Sequence, residues 1–254
     1  MKITRKEFLC IAGLAAAGAG AAMAVQTIGG ADHAAPQASG AAKRWGMVID
    51  FQKCRADRDC DDCLNACRAA HNVPDIPERE REVKWVWKER YEKVFPFQQT
   101  DYTRRAFEGH VLPILCNQCA NPACVRVCPT AATWKREDGI VMMDWHRCIG
   151  CRYCMAACPY GSRSFNWSDP RPHIGKLTSE FPTRTKGVVE KCNFCEERLA
   201  NGRVPACVEA CRRKAIVFGD LNDEKSTVRQ LLRARYSIQR TPELGTGPSV
   251  FYLI

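Results

Sequence analysis

The chain has 254 residues, 17 of them cysteine, and a formal net charge of +10. The length allows one or two domains, and so high a cysteine content leaves a disulfide scaffold or a metal protein. Small disulfide scaffolds are short secreted domains whose cysteines do not fall into near-identical runs, and no stripe of basic and aromatic residues accompanies the charge, which argues against a nucleic-acid surface.

The N-terminus, MKITRKEFLCIAGLAAAGAGAAMAV, starts basic and continues uncharged and rich in Ala and Gly from Phe8 to Val25, with an A-x-A site at Ala22-Met23-Ala24. This is the layout of an export signal. The segment TRKEFL is similar to a twin-arginine motif, with Lys6 standing where the second arginine belongs. Residues 1–30 are therefore read as a Tat-type export signal, cleaved or retained as an anchor. Residues 31–43 form an Ala-rich linker, and the folded domain spans 44–254.

Cys10 stands alone in the signal segment, and the other sixteen cysteines form four runs. The first is Cys54, Cys60, Cys63 and Cys67; the second is Cys116, Cys119, Cys124 and Cys128. The third is Cys148, Cys151, Cys154 and Cys158, and the fourth is Cys192, Cys195, Cys207 and Cys211. All four end in C-x3-C. The third, CIGCRYCMAACP, matches the bacterial ferredoxin pattern, in which one loop wraps three corners of a cubane cluster and the last cysteine reaches the neighbouring cluster. The first run departs from that pattern, because five residues separate Cys54 from Cys60. A longer loop costs little extra closure entropy, so Cys54 still completes the set. Structural zinc takes two C-x2-C pairs a dozen or more residues apart, and a continuous run suits a lone tetrahedral ion poorly. All sixteen cysteines are thus expected to bind the iron of four [4Fe-4S] clusters. Each such cluster with its thiolates carries about −2, and the basic excess is read as compensation for that buried charge.

Between the runs, DGIVMMD (138–144) and KAIVFGD (214–220) alternate like short strands, and STVRQLLRARYS (226–237) has a helical period. A short helix is expected from Glu196. The stretch 68–115 has no cysteine and many aromatics, and is expected to pack around the clusters rather than to face a partner. The fold class is α+β, loop-rich, with duplicated ferredoxin-like modules.

No C-x-x-C-H haem site, G-x-G-x-x-G or Walker A segment occurs. His33, His71, His110, His146 and His173 show no metal-ligand spacing and are read as surface or capping residues. No nucleophile has an assignable base. The expectation is a non-catalytic electron-transfer subunit with no small-molecule substrate.

The segments LCNQCANPACVRVCPTAATWKREDGIVMMDWHRCIGCRYCMAACPYGSRSFNW, VVEKCNFCEERLANGRVPACVEAC and FGDLND resemble the four-cluster iron–sulfur subunits of membrane-bound respiratory oxidoreductases, the DMSO-reductase, polysulfide-reductase and NrfC-like family. Within it, CRADRDCDDCLNACRAAHNVP resembles the DsrO type, the ferredoxin-like subunits of DsrMKJOP complexes in dissimilatory sulfur metabolism. The resemblance implies crossed ligation. Cys54, Cys60 and Cys63 would share a cluster with Cys211, and Cys192, Cys195 and Cys207 one with Cys67. Cys116, Cys119 and Cys124 would pair with Cys158, and Cys148, Cys151 and Cys154 with Cys128. The same resemblance implies that one module is built from the first and fourth runs and the other from the second and third. It also implies a peripheral position on the outer face of the cytoplasmic membrane. The implied partners are an integral, menaquinone-handling NrfD-like subunit (DsrP-like), a multihaem cytochrome c (DsrJ-like) and DsrMK-like subunits. The same wire serving a molybdopterin reductase is the alternative.

Overall fold

The computed structural model describes residues 42–55, 59–98 and 100–254. The segment read as an export signal, most of the segment read as a linker, Cys10 and His33 lie outside these residues.

Strand β1 (Trp45–Asp50) is buried along all but its first residue. It pairs in parallel with β10 (Val250–Leu253), Met47 opposite Val250, and antiparallel with β8 (Ile216–Asp220), Ile49 opposite Ile216. A short β9 (Ser237–Ile238) completes the order β8-β1-β10-β9. Side chains alternate across such strands. Met47, Ile49 and Tyr252 therefore join the main core, while Val48 and Leu253 pack with Val228 of the helix Thr227–Ala234 on the other face. The pairing positions the site: β1 runs into Cys54 and β8 starts just after Cys211, so the first and fourth runs are held at one edge of the sheet.

The remaining strands pair as β2 (Val86–Arg90) with β3 (Val111–Leu115), β4 (Thr133–Lys135) with β5 (Val141–Met143), and β6 (Ser164–Phe165) with β7 (Val189–Glu190), all antiparallel. β3 delivers Cys116 and β7 delivers Lys191 and Cys192. Helices are short and carry the C-x3-C ends. Asp62–His71 bears Cys63 and Cys67 and packs against Ala206–Glu209, which bears Cys207; Ala123–Arg126 packs against Tyr153–Ala156 in the same way.

The structure is a mixed α+β fold. The expected strand 138–144 shortens to Val141–Met143, because Gly139 (φ +86°) donates its N–H to Arg136 O at 3.1 Å and closes the hairpin turn. The strand expected from 214 starts at Ile216, after Lys214 takes a left-handed φ of 48°. The helix expected over 226–237 is Thr227–Ala234, capped by Ser226 Oγ accepting from Arg229 N–H at 3.2 Å. The helix expected from Glu196 is there, Glu196–Ala200. The cysteine-free stretch does pack inward: Trp85, Trp87, Tyr91, Phe95 and Phe107 are all buried, although Phe97 and Tyr102 are exposed.

Candidate metal centre

The described thiols gather into four tetrads, and none forms a disulfide. Cys54, Cys60, Cys63 and Cys211 line one concavity, with Lys88 and Asp62 at its edge. Burial, then the neighbouring Cys211 and Cys60, push the Cys54 thiol up to about 11; burial, then Cys54 and Cys211, push Cys63 up to about 12. At the rim, Arg212 pairs with Asp62.

Cys67 leaves that group along its helix and meets Cys192, Cys195 and Cys207, all buried. Burial raises the Cys67 thiol far above its ordinary value, and those three thiols raise it further. Phe194 and Cys195 both adopt left-handed backbone (φ 58° and 55°), which is costly away from glycine. The turn aims the Phe194 N–H at Cys192 Sγ, 3.4 Å away, and Ala206 N–H reaches Cys195 Sγ at 3.4 Å.

Cys119 is pushed up to about 12 by burial and then by Cys116, with Cys124 and Cys158 also close. Cys158 is raised by burial and by Cys116. These four form the third tetrad. Cys128, Cys148, Cys151 and Cys154 line the fourth cavity beside Gly150 and Val189. Cys128 differs from the rest. Burial pushes its thiol up, but N–H groups of Thr133, Thr130 and Ala132 and the Thr130 hydroxyl outweigh it and hold it below the ordinary thiol value. Gly150 is required here: its φ is +70°, and a Cβ would lie 2.5 Å from Gly187 O.

Neighbouring thiols place the tetrads in an order. Cys63 neighbours Cys67 and Cys207, Cys192 neighbours Cys116, and Cys124 neighbours Cys154. The order is the Cys54 tetrad, the Cys192 tetrad, the Cys116 tetrad and the Cys148 tetrad. Cys151 is exposed at the far end.

An all-sulfur donor set is soft and suits iron–sulfur clusters. Buried donors without protein partners accompany the thiols: Asn117 Nδ2, Ser162 Oγ, Arg163 Nε and Trp145 Nε1. Such orphaned groups in a protein interior call for a further acceptor, and inorganic sulfide is one. The residues fit the group.

Several residues at the site are not legible from cysteine spacing. His71, expected at the surface or in a cap, is instead 1% exposed. Its Nε2 lies 2.8 Å from Glu197 Oε1, its Nδ1 3.1 Å from Cys67 O and 3.7 Å from Cys67 Sγ, and its ring stacks on Trp85. His71 stands four residues after Cys67 on one helix, the spacing that puts two side chains on one face; that signal could have found it. Burial raises and His71 lowers the Glu197 carboxyl, which ends below the usual range. Arg184 and Glu190 form a fully buried ion pair at 2.6 Å. Arg163 and Lys191 lie buried among the sulfurs. Burial works against the Arg163 guanidinium, but Cys124, Cys154 and Cys116 outweigh it and raise its pKa. Burial lowers the Lys191 ammonium, with Cys116 and Cys192 opposing.

The 4Fe-4S dicluster domain family matches residues 107–173 and 177–221. The chain is 38% identical to the Hdr-like menaquinol oxidoreductase iron-sulfur subunit 1 of Archaeoglobus fulgidus, across 98% of this chain and 97% of the relative. It is 40% identical to the menaquinone reductase iron-sulfur cluster-binding subunit of Nitratidesulfovibrio vulgaris, across 83% and 88%. With one subunit of the polysulfide reductase of Wolinella succinogenes it shares 37% identity across 83% and 94%. No helix among the described residues is long and apolar enough to cross a membrane. With its gathered thiols and these relatives, the protein belongs to the polysulfide-reductase, DMSO-reductase and NrfC family of [4Fe-4S] electron-transfer subunits, and is not itself a catalytic subunit.

Proposed function

We propose that the chain is a four-cluster electron wire, and that the ligand sets are the four tetrads. These are Cys54, Cys60, Cys63 and Cys211; Cys67, Cys192, Cys195 and Cys207; Cys116, Cys119, Cys124 and Cys158; and Cys128, Cys148, Cys151 and Cys154. The observation that carries this reading is the gathering of the thiols in fours, each group next to another through neighbouring sulfurs. Two modules follow from it, one from the first and fourth runs and one from the second and third.

Bound clusters supply one-electron storage at each position. The protein's own residues bury the Cys67 tetrad and aim N–H groups at its sulfurs. The wire relays single electrons between a menaquinone-handling, NrfD-like membrane subunit and a multihaem cytochrome c in a DsrMKJOP-type complex, on the outer face of the membrane after Tat export. The menaquinol-oxidoreductase relative supports the quinone side, and its match extends over 98% of the chain, into the N-terminal segment. The DsrO assignment rests on the long Cys54–Cys60 gap. A second reading, the wire of a molybdopterin reductase, is favoured by the polysulfide and tetrathionate reductase relatives.

Purification of the native complex separates the two. A DsrMKJOP-type assembly contains haem c and no molybdenum; co-purifying molybdenum with a large pterin-binding subunit would replace this reading by the second.

A further inference from the structure

Three cationic side chains are buried in the described residues, Arg163, Arg184 and Lys191. Arg184 has Glu190 as its counter-charge. The other two have no carboxylate partner among the described residues. Arg163 Nη2 donates to Cys124 Sγ at 3.1 Å and to Thr133 Oγ1 at 2.8 Å, and Nη1 lies 3.6 Å from Met143 Sδ. Lys191 Nζ donates to the carbonyl oxygens of Cys192, at 2.8 Å, and Val141. A buried charge without a partner is strongly unfavourable, so the anions these cations face are the sulfurs.

Their placement is not uniform along the wire. Arg163 acts on Cys124 and Cys116 of one tetrad and on Cys154 of the next. Lys191 acts on Cys116 and Cys124 of the same tetrad and on Cys192 of the one before. Of these two buried cations, both flank the Cys116 tetrad and one reaches each neighbour; Arg198 beside Cys195 is paired with Glu209. Among the described residues the Cys54 tetrad has no buried cation: Lys88, partly exposed, and Arg213, exposed, line its cavity, Arg212 stands at the rim, and Lys88 and Arg212 pair with Asp61 and Asp62. Adding an electron makes a cluster more negative, and a fixed cation in a low-dielectric interior favours that form.

We propose that Arg163 and Lys191 are positioning residues that give the Cys116-tetrad cluster the highest reduction potential of the four, making it the electron sink of the wire. This rests on the proposed ligand sets. Electrons entering from either end then collect one position in from the Cys148 end.

The test is redox-titrated EPR of the purified protein with iron content measured in parallel, on wild type and on Arg163→Gln, Arg163→Lys and Lys191→Gln. The relevant signal is identified by its change in Cys119→Ser. In wild type it is expected to be reduced first. Each Gln variant should lower its reduction equilibrium constant about tenfold, or about 59 mV for a one-electron couple. Arg163→Lys should recover most of that, and the Cys54-tetrad signal should not move. If Arg163→Gln loses iron, Lys191→Gln decides by the same criterion. Full iron with potentials unshifted, an equal shift of all four signals, or iron loss in both Gln variants would overturn the proposal. Wild-type iron far below about sixteen per chain would instead sink the cluster reading beneath it.

Discussion

Glu190 is the perturbation with the largest expected cost. Its carboxylate is fully buried, 2.6 Å from Arg184 Nε, and accepts hydrogen bonds from Trp85 Nε1 at 2.9 Å and Asn166 Nδ2 at 2.5 Å. Arg184 in turn donates from Nη1 to His71 O at 2.5 Å and from Nη2 to Asn72 O at 2.8 Å, satisfying carbonyls at the end of the helix that carries Cys63 and Cys67. Its guanidinium lies within 6 Å of the rings of Trp85, Trp145 and Phe181. Glu190→Gln keeps the shape but strips the counter-charge, and breaking a buried pair from one side costs about 3–5 kcal/mol. That corresponds to roughly a 150- to 5,000-fold change in the folded ratio. Arg184→Met in the same chain removes the stranded cation and should return part of the loss, which makes the pair non-additive by at least about 1 kcal/mol. Anaerobic denaturant titration, followed by visible cluster absorbance and by circular dichroism, reads the effect. A single Glu190→Gln within about 1 kcal/mol of wild type, or a double variant whose loss is the sum of its parts, would refute the reasoning.

Gly150→Ala combines left-handed backbone, about 1–2 kcal/mol, with a clash against Gly187 O that backbone cannot easily relieve, about 1–3 kcal/mol more; iron analysis and EPR should show loss confined to the Cys148 tetrad, and four intact signals would contradict it. In the iron-stripped, still folded chain at pH 8, Cys119, whose thiol is pushed up to about 12, should carry less thiolate than Cys128, whose thiol is held below the ordinary value. Mass-spectrometric alkylation rates followed across pH read the difference. The Cys119 rate should climb as pH rises toward 12, and equal rates at pH 8 would show the two environments to be alike. His71→Phe keeps the stack on Trp85 but removes the contacts to Glu197 and Cys67 O; stability read by thermal denaturation should fall by about 1–3 kcal/mol, the cost of an unsatisfied buried group, and an unchanged midpoint would show the pair to be idle.

The four cysteine runs were legible in the sequence because cubane ligation imposes short spacings on cysteine, whereas the exchange of Cys67, Cys128, Cys158 and Cys211 between runs rested on the family resemblance. The elements between the runs were also legible where local chemistry decided them, as with Ser226 capping its helix. What was not legible depends on contacts distant in the chain. Compensation of cluster charge by the basic excess was expected, but nothing local singles out Lys191 and Arg163, which the tertiary fold surrounds with sulfur from other runs. Arg184 and Glu190 are a buried pair only because the loop before β7 folds under the helix end at His71. The parallel pairing of β1 with β10, which joins the two ends of the folded domain, has no local signature at all.

The most direct test of the wire is the iron count and redox-titrated EPR of Cys54→Ser beside Cys211→Ser, because these cysteines lie at opposite ends of the domain sequence and line one cavity. Wild type should hold about sixteen irons in four clusters. Each variant should perturb the same single signal and lose at most about four irons, with the other three clusters untouched. An unchanged spectrum in Cys54→Ser, or different signals lost in the two variants, would contradict the ligand sets and the ordering built on them.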